Sequence, residues 1–113
     1  MIEDYGFGRI VIDGTKYTSD IIIYPDGHIQ GSWRRIAGHR LCADDIMDLI
    51  ASEPQIIIAG TGVYGLMRPD RDLAQILKEK GIQFQAIESK KAAKRYNEIS
   101  AQMRAGACFH LTC

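Results

Sequence analysis

The sequence has no net charge to offer a partner: fourteen Lys and Arg are cancelled by fourteen Asp and Glu. A dedicated nucleic-acid or membrane-surface binder needs a basic field, which this composition lacks. The same balance leaves little electrostatic barrier to self-association. Cysteine is scarce, and Cys42, Cys108 and Cys113 are odd in number and widely spaced. They form no disulfide framework, which points to a reducing interior. The start, MIEDYGFGRI, has neither the basic residues nor the apolar core of a signal peptide. No apolar run approaches the roughly 20 residues that span a bilayer. Repeats, low-complexity tracts and linkers are missing too. The expectation is a soluble cytoplasmic protein with no membrane or nucleic-acid partner. Its 113 residues, 46% hydrophobic, suffice for a single domain, 1–113, with its own core.

What is present is organised around Gln55–Gly65, reading QIIIAGTGVYG. Ile56–Ala59 is apolar without alternation, as a parallel strand buried on both faces tends to be. Gly60-Thr61-Gly62 then permits a sharp turn or a close backbone approach. In open α/β sheets such strand ends are where ligands bind. Upstream, Arg9–Ile12 and Thr15–Thr18 flank Asp13-Gly14 and read as a type I′ hairpin. Ile21–Tyr24 and His28–Trp33 flank the Pro25-Asp26-Gly27 turn as a second hairpin. Arg34–Leu41 reads as a loop.

Downstream the pattern alternates. Ala43–Ser52 is a helix with Ile46, Leu49 and Ile50 on one face, stopped by Pro54. Pro69 opens a second helix over 69–80, with Asp70 and Asp72 in its first turn and Gly81 as a left-handed cap. Ile82–Ile87 is a strand, and Ser89 caps a third helix, Lys90–Met103. Gly106 breaks that pattern before a final strand, Ala107–Leu111. Strands 55–59 and 82–87 should be parallel neighbours joined by helix 69–80. The fold expected is a three-layer α/β domain with a mixed central sheet, N-terminal β-hairpins followed by βαβαβ.

The strand ending in Gly60-x-Gly62, the helix ending in Lys80-Gly81-Ile82, Ala92 with Tyr96-Asn97, and the terminus Phe109-His110-x-Thr112-Cys113 occur in an order that resembles a known family. Trp33-Arg34, His39 and Asp45-Ile46 fit the same pattern. The likeness runs from about Tyr24 onward. It is to the uncharacterised Mth-domain family that includes an adipogenesis-associated protein and, more distantly, a mitochondrial complex I assembly factor. Ser89 stands where many relatives carry Thr, and Gly60-Thr61-Gly62 replaces a Gly-Arg-Gly. The resemblance implies a three-layer α/β fold with a mixed central sheet and brings no established activity, substrate or cofactor.

Several residues carry potential chemistry. Gly60, Thr61 and Gly62 could present backbone N–H groups to an anion, or simply form a tight turn. They make neither a Walker loop, for no Gly-Lys-Ser/Thr follows, nor a dinucleotide fingerprint, for Glu88 comes too late for the ribose-binding acid. Cys108-x-His110-x-x-Cys113 holds zinc-binding residue types. On a strand, however, Cys113 faces away from the other two, and no fourth ligand has suitable spacing. No metal or cofactor is expected. A Cys113 nucleophile served by His110 or His39 competes with a small side chain closing the sheet. Tyr96-Asn97 reads as an anchor for the third helix, and Trp33-Arg34-Arg35 with Arg40 as a modest basic cluster.

Two function classes follow. One is a small non-catalytic binding or assembly protein acting through contacts with a protein partner, a homo-oligomer included. The other is a small-anion binder or enzyme with a pocket at the strand ends, built from Gly60, Thr61, Gly62, Ser89 and His110 and closed over by Arg34 and His39. A concave pocket with convergent Arg34, His39, Thr61 and Ser89 favours the second class, and a flat exposed apolar patch favours the first.

Overall fold

The computed structural model describes residues 1–113, and β-branched runs supply its centre. The chain begins with β1 (Ile2–Gly6), β2 (Arg9–Ile12) and β3 (Thr15–Tyr17), an antiparallel three-stranded sheet. Asp13 and Gly14 both take positive φ, 48° and 82°, which confirms the tight hairpin between β2 and β3. Strand β1 has no expectation behind it. Its sequence, IEDYG, lacks alternation, and Asn97 holds its start by donating to the Ile2 carbonyl and accepting the Ile2 N–H, both at 2.8 Å.

Next come β4 (Ile21–Ile23) and β5 (Ile29–Gln30), joined by a turn in which Gly27 has φ 94°. The return strand expected over His28–Trp33 is cut to two residues. Ser32 takes φ 52°, which bends the chain, and Trp33 turns inward, 4% exposed. The loop expected over Arg34–Leu41 ends in a short strand, β6 (Arg40–Leu41). The single helix expected at Ala43–Ser52 divides into a 3-10 turn, Ala43–Ile46, and α1 (Met47–Ala51). The Asp45 carboxylate accepts the Cys42 N–H at 2.9 Å and tightens this first turn.

After β7 (Ile56–Thr61) comes a further correction. Pro69 does not open a helix; it lies in β8 (Arg68–Pro69), which pairs with β6 in parallel. Asp70 is drawn out of the helix by Arg40, whose guanidinium donates to Asp70 Oδ2 at 3.0 Å. Helix α2 therefore runs only from Leu73 to Glu79, and Gly81 follows it at φ 76°, the left-handed cap expected. Strand β9 (Gln83–Ile87), helix α3 (Ser89–Ser100) and strand β10 (Ala105–His110) complete the chain. Ser89 is the first residue of α3 rather than its cap, and Gly106 lies inside β10, where a Cβ would meet Leu49 Cδ1 at 2.6 Å.

The central sheet has the order β5-β4-β10-β7-β9. As expected, β7 and β9 are parallel neighbours across a β-α-β crossover; β10 runs parallel to β7 and antiparallel to β4, so the sheet is mixed. Residues alternate between its faces. Ile56, Ile58, Ala107 and Phe109 join a core with α3 and the β1–β3 sheet. Ile57, Ala59 and Cys108 join a second core with Trp33, Leu41, Leu49, Met67 and α2. Two cores divided by one sheet make the three layers.

Candidate functional site

The parallel register sets His110 beside Thr61, so β7 and β10 end together. Gly60 has no room for a side chain: a Cβ there would lie 2.5 Å from the Phe109 ring and 2.8 Å from Ser89 Oγ. Ser89 is fully buried at the start of α3, and its hydroxyl donates to the His110 carbonyl at 2.6 Å and accepts the Gly62 N–H at 2.8 Å. One hydroxyl thus ties the ends of both strands to a helix. The Gly62 carbonyl accepts the Ser89 N–H at 3.1 Å, and Val63 N–H goes to the Thr112 carbonyl at 2.6 Å. The chain's own last residues lie across the Gly60–Gly62 turn, and its Gly62 and Val63 amides are hydrogen-bonded within the protein.

The structure therefore brings Gly60, Thr61, Gly62, Ser89 and His110 to one edge. Arg34 is exposed and outside it. His39 is exposed, its ring edge-on to His110 with centroids 5.8 Å apart. No cleft of the molecule is lined by Gly60, Thr61, Gly62, Ser89 or His110.

Two residues that the sequence reading did not single out for this edge complete it. Asp20, just before β4, accepts from Arg35 at 2.9 Å and meets His110 Nδ1 at 2.8 Å through Oδ2, while its Oδ1 accepts the Leu111 N–H at 2.9 Å. The Arg35 side chain, 5% exposed, also donates to the Gly38 carbonyl at 2.9 Å and lies 4.7 Å over the Trp33 ring. Arg35 also approaches His110 Nδ1, at 3.1 Å. A guanidinium only donates and a carboxylate only accepts, so the two demand opposite things of Nδ1. The shorter contact favours an Nδ1–H donating to Asp20, leaving the lone pair on Nε2, which is buried without a partner. The only local signal for this cluster is a carboxylate placed directly against a β-branched run, Asp20-Ile21.

Cys108 shares the His110 face of β10 and is fully buried; burial pushes its thiol up to about 12. The sign follows from proton counting. The folded state holds this proton between the ordinary thiol value and about 12 while the unfolded chain releases it, so the group stabilises the fold below that range and less as pH rises through it. We expect a maleimide to label Cys42 and Cys113 in the folded protein and Cys108 only on unfolding, read by mass spectrometry. Native labelling of Cys108 at a comparable rate would contradict the closed core. No group of three His, Cys, Asp or Glu is arranged to hold a metal ion.

A second feature lies on the opposite face of the sheet from α3. The 3-10 turn and α1 stand apart from α2, leaving a groove in two continuous parts of about 410 and 760 Å³ that share Ala43, Asp44 and Ile76. The larger part carries exposed Met47 and half-buried Ile50 and Ile76; Ile36, 80% exposed, flanks the smaller. Asp44, Asp45, Asp70, Asp72 and Glu53 outnumber Arg40 and Lys80 along it. No helix of the protein is long and apolar enough to cross a membrane.

Over residues 2–110 the chain matches the model of a family described as a protein of unknown function, DUF498/DUF598. Among solved structures it is similar to a conserved hypothetical protein of Pyrococcus horikoshii, 27% identical with a TM-score of 0.84, over 100% of this chain and 99% of that one. A protein designated MT938 is 30% identical with a TM-score of 0.81, over 100% and 98% of the two chains. A Mth938-like domain of Bordetella pertussis, 17% identical over 98% and 85%, shares the fold at a TM-score of 0.71.

Proposed function

This chain belongs to the DUF498/DUF598 family of proteins of unknown function, and within it we propose a non-catalytic binding or assembly protein that acts through protein contacts. The observation carrying this reading is the groove between α1 and α2, where exposed Met47 and half-buried Ile50 and Ile76 sit among a majority of carboxylates. Exposed apolar surface bordered by charge is typical of an interaction site. Its chemistry fits a partner segment with apolar residues flanked by Lys or Arg, the cations being steered by the acidic rim. An assembly role and a cytoplasmic location belong to this proposal, the location resting on the three scattered cysteines of the sequence.

The test is selection of short peptides from a random display library on the immobilised protein. Enriched peptides are expected to combine apolar residues with Lys or Arg and to bind about tenfold more weakly to a Met47→Lys variant. Binders indifferent to Met47→Lys, or no enrichment, would remove the groove from consideration.

The competing reading is a small-anion binder or enzyme at the strand ends, with Gly60, Thr61, Gly62, Ser89, Arg34, His39 and His110 as members. The buried Nε2 of His110 is the unpartnered polar atom there, but as a lone pair it calls for a donor and does not attract an anion, which counts against this reading. Saturable movement of the His110 ring ¹⁵N signals on adding phosphate or acetate would support that reading, and unmoved signals would end it.

A further inference from the structure

The sheets of this protein have edges, and most are guarded. Strand β5 is only two residues long. The start of β1 is held by Asn97 through two hydrogen bonds, and β3 carries Lys16 at its middle. Short length, a blocking side chain and an edge lysine are the usual devices against strand-to-strand association. Strand β9 has none of them. Gln83-Phe84-Gln85-Ala86-Ile87 contains no charge and no proline, and it pairs with β7 in unbroken register along one side only.

The polar groups on its free side are identifiable. The Gln83 N–H goes to the Gln55 carbonyl at 3.0 Å. In the alternation of a parallel ladder, Gln83, Gln85 and Ile87 then turn their backbone groups toward β7, while Phe84 and Ala86 turn theirs outward. Phe84 and Ala86 are symmetric about Gln85. In one antiparallel register, with Gln85 opposite Gln85 of another copy, Phe84 of each chain faces Ala86 of the other and both pairs exchange N–H and C=O bonds. The edge is thus complementary to itself, as a two-fold interface requires.

The surroundings accept that arrangement. Beside the edge, α2 leaves a cleft of about 530 Å³ lined by Ala74, Lys78 and Phe84, among others, which is room for the Phe84 rings on that face. On the other face Arg95 Nε reaches Gln85 Oε1 at 3.3 Å, so a two-fold axis at Gln85 also runs past Arg95. The zero net charge adds no repulsion between whole chains.

We propose that two copies of this chain associate edge to edge through β9, joining their five-stranded sheets into one continuous sheet across a two-fold axis at Gln85. The interface is separate from the α1–α2 groove and leaves it open. The test uses charge at the axis. Sedimentation velocity of the full chain is expected to show a dimer at micromolar concentration. Gln85→Lys places like charges directly opposite one another and beside the Arg95 guanidinium of each copy, and this variant is expected to dissociate at least about tenfold more readily. Gln85→Glu, whose carboxylates pair with Arg95, should keep the dimer, which also shows that substitution at position 85 does not act by misfolding. A wild-type monomer over that range, a dimer untouched by Gln85→Lys, or equal dissociation of both variants would each overturn the proposal. So would association of β9 only with a strand of another protein.

Discussion

Replacing Asp20 by alanine is expected to lower the stability of this protein by about 3–5 kcal/mol, the usual cost of removing one partner from a buried ion pair. The Arg35 side chain is 5% exposed and that of Asp20 16%, so water has little means of replacing the lost carboxylate. Three groups lose an acceptor at once: the Arg35 guanidinium, which keeps only the Gly38 carbonyl, the Nδ1–H of His110 and the backbone N–H of Leu111. The Leu111 bond ties the end of β10 to β4, so the damage reaches the middle of the sheet. Asp20→Asn keeps an acceptor for Leu111 but sets an amide N–H donor where Oδ2 accepts from Arg35 and His110, so it should recover only the Leu111 part of the loss. Urea unfolding monitored by Trp33 fluorescence measures both. A loss below about 1 kcal/mol for Asp20→Ala, the level of an exposed pair, would mean that Arg35 finds other partners and that the cluster is not a unit.

Substituting valine at Gly62 should cost about 3 kcal/mol, for two independent reasons. Its φ of 102° lies where L side chains are strained, and such a backbone costs on the order of 1–3 kcal/mol. A Cβ would also stand 2.5 Å from the Cys113 backbone, so the terminal residues must shift, which adds roughly another 1–3 kcal/mol. Gly81→Val separates the two contributions. Gly81 has φ 76° but nothing within 4 Å of its Cβ position, so only the backbone cost applies, about 1–2 kcal/mol. The denaturant midpoints should therefore fall in the order wild type, Gly81→Val, Gly62→Val. Equal losses for both variants would show that the terminus moves aside freely and does not seal the turn.

The Gly60-x-Gly62 turn illustrates how far reading the chain alone could go. The glycines do mark a close approach, as their spacing after a strand implied. What approaches was not legible: it is Ser89, 27 residues away along the chain, together with the terminal residues. Ser89 looked like a helix cap because a serine preceding a helical pattern usually is one. Its hydroxyl instead serves two other backbone groups, since Gly62 and His110 meet at that point only once β7 and β10 are side by side. Pro69 misled for a related reason. Its fixed φ suits the first turn of a helix and an edge strand equally well, and the contacts of Arg40 and Leu41 with the following segment decided between them.

The sequence by itself determined the order of the main strands and helices, the tight turn at Asp13-Gly14, the left-handed cap at Gly81, and the parallel pairing of strands 56–61 and 83–87. Each rests on a periodicity or on a residue whose conformational freedom acts within a few positions. The tertiary structure alone decided that Asp20, Arg35 and His110 form one buried cluster, that Arg34 stays outside it, and that the α1–α2 groove remains open. The cluster's hydrogen bonds join residues 75, 90 and 91 positions apart. No local pattern records such partnerships, because the stabilisation comes from desolvated groups meeting only after the sheet has closed.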